Sequence, residues 1–421
     1  MSQYHYNAGG DRRGALQSRV VFINRFYWPD EAATAQLLAD LAEGLAARGH
    51  RVIVITSHDG MPATPRREVR HGVDIVRVQA TRWGHLGLIG KAIDYATFAI
   101  ASRRVLRRHA RSGDRIVAMT DPPALALVVA GAARRAGAKA VHWLQDIHPE
   151  ITLALSGNRA LARACRPWIR WRDAAWQQGD ACVAISRDMA ALVVENGVPA
   201  ARVKVIPNWA PDSDTMAPVP VEKNLFRHQW GLDGKFVVAY SGNLGRVHAL
   251  DPLLAAAALL RDDPNIVFLF VGAGAQRAAL ETKARAQGLT NVQFQPAQPR
   301  TRLAESLSVG DVHLVTLRSG CERLVYPSKL YGILAVGRPV IYVGPLQSEL
   351  AQSVIKNGAG VEVDANEPRQ IAAALLRLQQ DGAQRRLMGQ AALRWHRESG
   401  ALKAAVDAWE QLLAPGISAS S

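Results

Sequence analysis

Short runs of β-branched and other apolar residues alternate with longer stretches of helical spacing along almost the whole chain, and this alternation limits the fold most. The first cycle is an apolar run at 19–25, a periodic stretch at 34–48 closed by Gly49, and a second apolar run at 51–56. Strands separated by helices form mainly parallel sheets with helices on both faces. The sequence therefore predicts an α/β fold built from βαβ units.

A proline-rich segment at 207–220 interrupts the alternation and shows neither a strand nor a helix period. Such a segment is typical of a linker. Strand-like runs lie on both sides of it, at 74–78, 115–120, 140–144, 181–185 and 203–206 before it and at 236–240, 266–271, 292–295, 312–317 and 340–343 after it. We therefore predict two α/β domains, residues 1–212 and 213–397.

The net charge of +15 is uneven along the chain. Residues 1–212 hold 29 Lys and Arg against 18 Asp and Glu, a balance of +11, which leaves +4 for the rest. On charge alone, nucleic acid, anionic lipid and phosphate-bearing substrates are all compatible partners. The attraction for anions is expected mainly from the first half.

The longest wholly apolar run, residues 124–133, is far shorter than the roughly 18 residues that span a bilayer. Residues 1–19 lack the apolar core of a signal peptide. Cys165, Cys182 and Cys321 are widely spaced, which predicts neither a disulfide framework nor a zinc site. We expect a cytoplasmic protein with reduced thiols.

Open parallel sheets bind ligands beyond the carboxyl ends of their strands. After the run at 236–240, Gly242, Asn243 and Gly245 form a glycine turn that precedes the cation Arg246. This pattern predicts a phosphate cradle, although a simple strand-to-helix turn fits it equally well.

A second glycine pair, Gly272 and Gly274, follows the run at 266–271. A dinucleotide fingerprint would need a third glycine where Arg277 stands, and an acidic residue about 20 residues further on, which is missing. A nicotinamide enzyme is therefore disfavoured, and we interpret the pair as a tight turn beside a nucleotide.

The densest group of polar residues lies at 319–339, after the strand-like run at 312–317. Amide donors, an anion and a cation converge there, a combination that suits a sugar diphosphate; the residues are Gly320, Cys321, Glu322, Ser328 and Lys329. The alternative is an exposed ion pair between Glu322 and Lys329.

In the first domain, the run at 140–144 ends in Asp146, His148 and Glu150, and Asp121 follows the run at 115–120. Asp146 is the candidate to meet a substrate hydroxyl, while His148 and Asp121 are also explained as loop and cap residues. The Asp-Ser-Asp at 212–214 lies in the linker and is interpreted as a solvated turn. Because no other cluster has metal-ligand spacing, we expect no metal cofactor.

Several motifs together resemble the group 1 retaining glycosyltransferases of the GT-B fold, and among them bacterial amino-sugar transferases of O-antigen, capsule and colanic-acid assembly. The resemblance spans about residues 19–413, and its motifs are at 26–34, 46–50, 145–150, 186–209, 241–245 and 327–339. It implies two facing Rossmann-like domains, with the acceptor in the first, the nucleotide sugar in the second, and residues 398–421 crossing back to the first.

Carried over by position, Ala33 and Thr34 face the donor phosphate, Arg246 and Lys329 hold the diphosphate, and Pro296 and Ala297 flank the base. Glu322 with the amides of Gly320 and Cys321 would bind the sugar hydroxyls. The family often has a carboxylate for the ribose where this chain has Gly332. The resemblance also implies a front-face retaining transfer with no metal.

Two basic stretches of helical spacing predict contact with an anionic bilayer. Residues 91–111 include Arg103, Arg104 and Arg107, and residues 161–176 include Trp168 and Trp171. The alternative is a solvated helix with its tryptophans in the core. Because the family's acceptors are often polyprenyl-diphosphate sugars, a peripheral position on the inner face of the plasma membrane is expected.

Three other functions stay open: a UDP-sugar 2-epimerase with the same fold, a non-catalytic subunit, and a nucleic-acid-binding protein. The last is disfavoured because no nucleic-acid-binding module is present. The expected partners are therefore a nucleotide sugar, a lipid-linked acceptor and an anionic membrane, with no nucleic acid.

Overall fold

The computed structural model describes residues 19–58, 64–211 and 216–414. Before the proline-rich segment the strands are β1 (Arg19–Ile23), β2 (Arg51–Ser57), β3 (Arg67–Arg70), β4 (Val73–Val78), β5 (Arg115–Ala118), β6 (Lys139–Trp143), β7 (Ala181–Ala184) and β8 (Val203–Val205). After it they are β9 (Phe236–Ser241), β10 (Ile266–Val271), β11 (Val292–Gln295), β12 (Val312–Thr316), β13 (Val340–Val343) and β14 (Gly360–Val363).

These strands form two separate sheets, one on each side of the segment at 207–220. The first has the order β3-β4-β2-β1-β5-β6-β7-β8, and the second has the order β11-β10-β9-β12-β13-β14. All pairings are parallel except that of β3 with β4. Each sheet thus has the reversal of strand order that opens a ligand crevice in Rossmann-like folds, which confirms the predicted fold class.

Helices cover both faces of each sheet. Around the first sheet they are α1 (Ala33–Ala47), α2 (Leu88–His109), α3 (Leu125–Ala136), α4 (Glu150–Ser156), α5 (Arg159–Gln178) and α6 (Arg187–Glu195). Around the second they are α7 (Leu225–Gln229), α8 (Asp251–Leu259), α9 (Arg277–Ala286), α10 (Leu303–Leu307), α11 (Lys329–Ala335), α12 (Glu349–Lys356), α13 (Pro368–Gln380) and α14 (Gly382–Trp395), and the chain continues into α15 (Leu402–Leu413).

Helix α15 returns to the first sheet, as the resemblance implied. Trp409 is fully buried and meets Trp143 of β6 edge to face, with 5.0 Å between ring centroids. Arg48, at the end of α1, pairs with Asp407 at 2.5 Å and with Glu410 at 2.7 Å. The last helix therefore belongs to the core of the first domain although it follows the second in sequence.

The carboxyl ends of the two sheets face each other across a packed contact. The Ile147 N–H, after β6, donates to the Leu324 carbonyl, after β12, at 3.0 Å. Arg300 forms a bidentate ion pair with Asp40 at 2.7 Å. One apolar cluster includes Ile147 and Ile151 from the first domain together with Cys321 from the second. The residues that follow the strands of both sheets are thus brought to one cleft.

The sequence analysis missed two strands. β3 reads Arg-Glu-Val-Arg, which lacks the apolar run of a buried strand because it is an antiparallel edge strand with two exposed residues. β14 begins at a glycine. Within residues 19–58, 64–211 and 216–414, no helix combines the length and apolarity needed to cross a membrane.

Candidate active site

Lys329 lies at the start of α11 against the glycine turn that follows β9. Its Nζ stands 3.6 Å from the centroid of the Tyr240 ring and donates a hydrogen bond to the Tyr240 hydroxyl. A Cβ placed on Gly242 would lie 3.3 Å from the Lys329 Cε, so glycine leaves room for the lysine chain. The predicted glycine turn and the predicted lysine therefore form one structure.

No carboxylate in the described part of the chain pairs with Lys329. Although the residue as a whole is only half-buried, the protein packed around its ammonium group lowers the pKa of Lys329 well below its usual value. A nearby anion would reverse this shift, because it favours the charged form. The positive charge of Lys329 therefore has no negative partner among the described residues, and a phosphate could supply that partner.

Buried His248 lies close to this lysine. Its Nδ1 is 2.7 Å from the Thr316 carbonyl, and burial together with the Lys329 charge lowers the pKa of His248 to about 3. The ring is therefore neutral at pH 7 and adds no charge to the site. Sequence reasoning missed His248 and Tyr240 because both stand in apolar surroundings without a motif.

Arg277 ties the loops of the second sheet together. Its Nη1 donates to the carbonyls of Gly272 and Gln295, the latter at 2.8 Å, and its Nε pairs with Glu281 at 2.7 Å. The arginine that breaks the dinucleotide fingerprint is thus a structural clamp between the ends of β10 and β11. Its position, where a glycine was expected, was the one signal in the sequence.

Gly272 and Gly274 allow two loops to approach each other. A Cβ on Gly272 would lie 2.1 Å from the Gly242 carbonyl oxygen, and one on Gly274 would lie 2.5 Å from the Leu244 backbone. Their φ angles of 141° and 151° also favour glycine. Both glycines support the Gly242 turn by close packing, and their role in donor binding stays a prediction.

Glu322 follows β12 and makes no ion pair with Lys329, so the alternative of an exposed Glu322–Lys329 pair is wrong. Its Oε2 is buried without a hydrogen-bond partner within the described residues. Gly320, at φ 84°, leaves its amide unbonded in the same part of the chain. A buried acceptor without a donor costs about 1–3 kcal/mol unless a ligand satisfies it.

The backbone amide of Cys321 is already hydrogen-bonded, whereas the resemblance implied that it binds a sugar hydroxyl. Its N–H donates to the Arg318 carbonyl at 3.1 Å because the loop closes in a tight turn, so it is not free for a sugar hydroxyl. Burial raises the pKa of the Cys321 thiol, and the Glu322 charge adds to the effect. Cys321 therefore shapes the loop without offering a donor.

Gly332 occupies a closed position on α11. A Cβ there would lie 2.9 Å from Leu307 Cδ1 and 3.8 Å from Met216 Cε. A carboxylate at this position would displace Leu307, and the residue as it stands offers no ribose contact. A nucleotide ribose would have to be recognised by other groups.

In the first domain, Asp146 and His148 lie on a loop that a buried arginine side chain anchors. Arg172, only 2% exposed, forms a bidentate pair with Glu150 at 2.6 Å and donates to the His148 carbonyl at 2.9 Å. Arg172 therefore fixes this loop, and its expected place in a membrane-facing stretch is wrong. Glu150 is likewise occupied by this pair.

The Asp146 side chain is exposed, but protein atoms of both domains surround it. The partial desolvation of its carboxyl by these atoms raises the pKa of Asp146, and the charge of His148 opposes this shift. Because Ile147 bonds to Leu324, two residues from Glu322, the loop carrying Asp146 faces the loop carrying Glu322.

Asp121 and Arg25 are opposite charges brought near each other by the fold, with a backbone hydrogen bond from the Arg25 N–H to the Asp121 carbonyl at 3.0 Å. One oxygen of Asp121, Oδ1, is buried without a partner among the described residues, and the same holds for Arg25 Nη1. Burial raises the pKa of Asp121, while Arg25 and His148 lower it. The Arg25 guanidinium also lies 4.7 Å from the centroid of the Phe26 ring.

Ala33 and Thr34 open α1 at the edge of the cleft. No side chain caps this helix, and its first turn holds no acidic residue. Its free amides and the positive end of its dipole are suited to an anion.

Residues 33–209 match the family described as Glycosyl transferase 4-like domain, and residues 222–395 match Glycosyl transferases group 1. The chain belongs to the group 1 glycosyltransferases. It is 30% identical over 342 residues to the "Putative colanic acid biosynthesis glycosyl transferase WcaI" of Escherichia coli K12, covering 77% of this chain and 83% of that protein.

Solved structures share the fold of this group 1 glycosyltransferase. Anabaena Alr3699/HepE in complex with UDP and glucose superposes with a TM-score of 0.72 at 17% identity, covering 94% of this chain and 99% of that one. WaaG, a glycosyltransferase involved in lipopolysaccharide biosynthesis, superposes with a TM-score of 0.71 at 16% identity, covering 94% and 100%.

Other expected donor contacts of the glycosyltransferase lie on the open side of the cleft. Arg246 is exposed and makes no hydrogen bond or ion pair within residues 216–414. Pro296 and Ala297 are exposed directly after β11, and half-buried Ser328 precedes α11 without capping it. Asn243 is exposed in the glycine turn, and its Nδ2 would meet a Cβ on Gly245 at 3.0 Å.

No group of three His, Cys, Asp or Glu side chains in the described ranges is arranged to hold a metal ion. The Asp-Ser-Asp at 212–214 lies outside those ranges.

The two basic helices of the glycosyltransferase expose some of their predicted surface residues and bury others. Arg103, Arg104 and Arg107 are exposed on α2, but Phe98 of the same stretch is buried in the core. On α5, Trp171 is 61% exposed and Trp168 is half-buried, so the alternative that places both tryptophans in the core is wrong for Trp171.

Proposed function

We propose that this glycosyltransferase moves an N-acetylated amino sugar from a UDP-linked donor to a polyprenyl-diphosphate-linked acceptor, with retention of configuration. The acceptor and the enzyme would lie at the inner face of the plasma membrane, in the assembly of a bacterial surface polysaccharide. One observation carries the proposal. Among the described residues, the cleft holds a lysine without a carboxylate partner, Lys329, and a carboxylate oxygen of Glu322 without a hydrogen-bond donor.

The donor half of the proposal rests on complementary charge. A sugar diphosphate supplies the anion that Lys329 lacks and the hydroxyl donors that Glu322 lacks. Exposed Arg246 and the uncapped start of α1 add positive potential on the open side. UDP is favoured because HepE, which shares the fold, was solved with UDP and glucose.

The proposed reaction breaks the bond between the anomeric carbon and the diphosphate oxygen, which keeps the bonding electrons. The acceptor hydroxyl oxygen bonds to the same face of that carbon, and its proton passes to the departing phosphate. Lys329 and Arg246 stabilise the charge that grows on the diphosphate, and Asp146 contacts the acceptor hydroxyl. Fixed cations at such a position supply several kcal/mol of selective stabilisation.

The acceptor half rests on the family relationship and the positive charge of the first domain. The name of the Escherichia coli relative refers to colanic acid biosynthesis, a polysaccharide pathway. The exposed arginines of α2 and exposed Trp171 supply a surface that fits an anionic bilayer.

The deciding experiment is a panel of UDP- and GDP-sugars incubated with undecaprenyl-diphosphate-linked sugars and scored by the mass of the lipid product. We expect one UDP-N-acetylamino sugar to add one residue to the lipid, with an α-linkage when the donor is α-linked. Transfer from a GDP-sugar alone would replace the donor assignment. Epimerisation of the donor without acceptor would identify the alternative enzyme, and nucleotide binding without either reaction would identify a non-catalytic subunit.

The same assay tests the proposed independence from metal. Because Lys329 and Arg246 stand in for a divalent cation, we expect EDTA to leave the rate within about twofold. A rate restored only by Mg²⁺ or Mn²⁺ after chelation would reject this part.

A further inference from the structure

The first sheet carries an apolar groove at the end opposite the cleft. Residues of β1, β2 and β4 that share one face of the sheet form its floor, and the last turn of α2 forms one wall. The groove has a volume of about 430 Å³. Apolar side chains line it, including Ile53, Val76, Val105 and Val69, of which Val69 is 71% exposed.

Four arginines line this groove, and three of them, Arg19, Arg51 and Arg111, lie at its mouth, with Arg67 further along β3. Arg19 and Arg51 are direct neighbours in the register of β1 and β2, so their side chains leave the same face of the sheet side by side. Arg111, just after α2, approaches from the wall. Like charges directly opposite in a sheet repel each other, and this arrangement is unfavourable without an anion between them.

Arg19 is the least satisfied of the three. Its side chain is 14% exposed, and its Nε and Nη1 are buried without a hydrogen-bond partner among the described residues. Nη2 donates to the His109 carbonyl at 2.7 Å, whereas Nη1 is 3.7 Å from Asp114, beyond hydrogen-bond distance. Burial and the charges of Arg111 and Arg51 lower the pKa of Arg19.

Two carboxylates, Asp74 and Asp114, neutralise the cluster only in part. Asp74 is 4.0 Å from the Arg51 Nε, and Asp114 accepts instead from the Arg111 backbone N–H at 2.7 Å. A phosphate at the mouth would give Arg19 its missing acceptor and separate the like charges. An apolar chain below it would cover exposed Val69 and the half-buried apolar side chains beside it.

We infer that this groove binds an anionic phospholipid, with the phosphate on Arg19, Arg51 and Arg111 and an acyl chain on the sheet face beneath. A free phosphate would satisfy the arginines but leave the groove uncovered. The same helix, α2, carries Arg103, Arg104 and Arg107 on its exposed side. The site would therefore hold the first domain against a bilayer at a point separate from the sugar-transfer cleft, whatever sugar is transferred.

The test is isothermal titration of the full chain with dihexanoyl phosphatidylglycerol below its critical micelle concentration. Parallel titrations use dihexanoyl phosphatidylcholine and inorganic phosphate. The variant R51E/R111E changes two exposed side chains, and K356E/R369E makes the same charge change at exposed positions of the second domain. A third variant, Val69→Ser, removes apolar contact without a change in charge.

We expect R51E/R111E to weaken phosphatidylglycerol binding by at least about tenfold, with K356E/R369E within about twofold of the unchanged chain. Val69→Ser should weaken it by about threefold. Inorganic phosphate that binds as tightly as the lipid would overturn the lipid assignment. Equal losses in both charge variants would show a diffuse effect of net charge instead of a site.

Two further outcomes would also reject the inference. Absence of lipid binding would do so directly. Binding that appears only after residues 1–18 are removed would assign the groove to that segment of the chain. Transfer to a water-soluble acceptor is measured in parallel, so that failure of the lipid site is distinguished from failure of the proposed transferase.

Discussion

The two sheets present their ligand-facing ends in different ways. In the second domain, Arg277 and the glycine contacts link the loops after β9, β10 and β11. These loops lie beside one cation, Lys329, that has no carboxylate partner among the described residues. In the first domain, the loop after β6 is anchored by Arg172, but the groups it presents, Asp146 and His148, face charges of both signs.

Under the proposed function, this difference would correspond to two modes of substrate recognition. Interlocked loops with buried unpaired groups are preorganised for one fixed ligand, and a nucleotide diphosphate fits that description. A cleft wall of accessible mixed charges is adapted to a hydroxyl whose surroundings vary among acceptors. The comparison predicts that changes in the second domain mainly affect turnover, whereas changes in the first affect loop stability and the acceptor.

The largest expected effect is that of Lys329→Met. The substitution keeps the length of the side chain but removes the cation at the diphosphate, so turnover at saturating donor should fall about thousandfold. The measurement is kcat with the donor identified by the panel. Lys283→Met, which changes an exposed lysine paired with Asp251, is the matched control. A loss below tenfold would remove Lys329 from the proposed mechanism.

Glu150→Gln tests the anchored loop of the first domain. It removes one of two carboxylates that pair with the nearly buried Arg172, whose ion pair with Asp173 at 2.7 Å remains, and we expect the free energy of unfolding to fall by about 2 kcal/mol. Denaturant unfolding followed by circular dichroism measures this change. Glu222→Gln alters an exposed carboxylate and should change stability by less than about 0.5 kcal/mol. Equal effects of the two variants would contradict the assigned role of Arg172.

Glu322→Gln separates sugar recognition from nucleotide recognition. Loss of the buried acceptor charge should lower kcat/KM for the donor roughly ten- to hundredfold. UDP lacks the transferred sugar and its hydroxyls, so the dissociation constant of UDP should stay within about twofold. If UDP binding and kcat/KM fell together, Glu322 would act on the nucleotide or on the fold of the loop.

The smallest expected effect compares one buried histidine in each sheet. His142 of β6 and His313 of β12 are wholly buried, and burial lowers the pKa of each to about 4. An unfolded histidine titrates near pH 6.5, so between these values the unfolded chain binds a proton that the folded chain does not. Stability is therefore lost as the pH falls from about 6.5 to about 4.

At pH 5 this loss is roughly 2 kcal/mol per histidine relative to pH 7. His142→Gln and His313→Gln should each reduce the pH dependence of unfolding by that amount, measured as the difference between pH 7 and pH 5. If only one variant did so, the two sheets would differ in how their centres exclude water.

Most of the fold could be predicted because buried parallel strands are continuous apolar runs. The runs at 266–271 and 340–343 agree with β10 and β13 residue for residue. Edge strand β11 agrees with the run at 292–295, because two apolar residues alternate with glutamines there. The edge strand β3 could not be found, because it holds one apolar residue, Val69, among three charged ones. For the site, glycine turns, Lys329 and Glu322 were identified, since charged residues directly after buried strands have few structural reasons to be there.

By itself the sequence determined the family, the two α/β halves and the strand ends where ligand-binding residues stand, because these depend on local periodicity and on the spacing of motifs. Only the tertiary structure decided which of those residues are free. Arg172 and Glu150 form an ion pair, and the Cys321 amide is used within its own turn. Among the described residues, Lys329 has no carboxylate partner and one oxygen of Glu322 has no hydrogen-bond donor. Pairing depends on distances between residues far apart in the chain, which no local pattern records. The same holds for Arg19 and Arg51, which become neighbours only when β1 and β2 are placed in register.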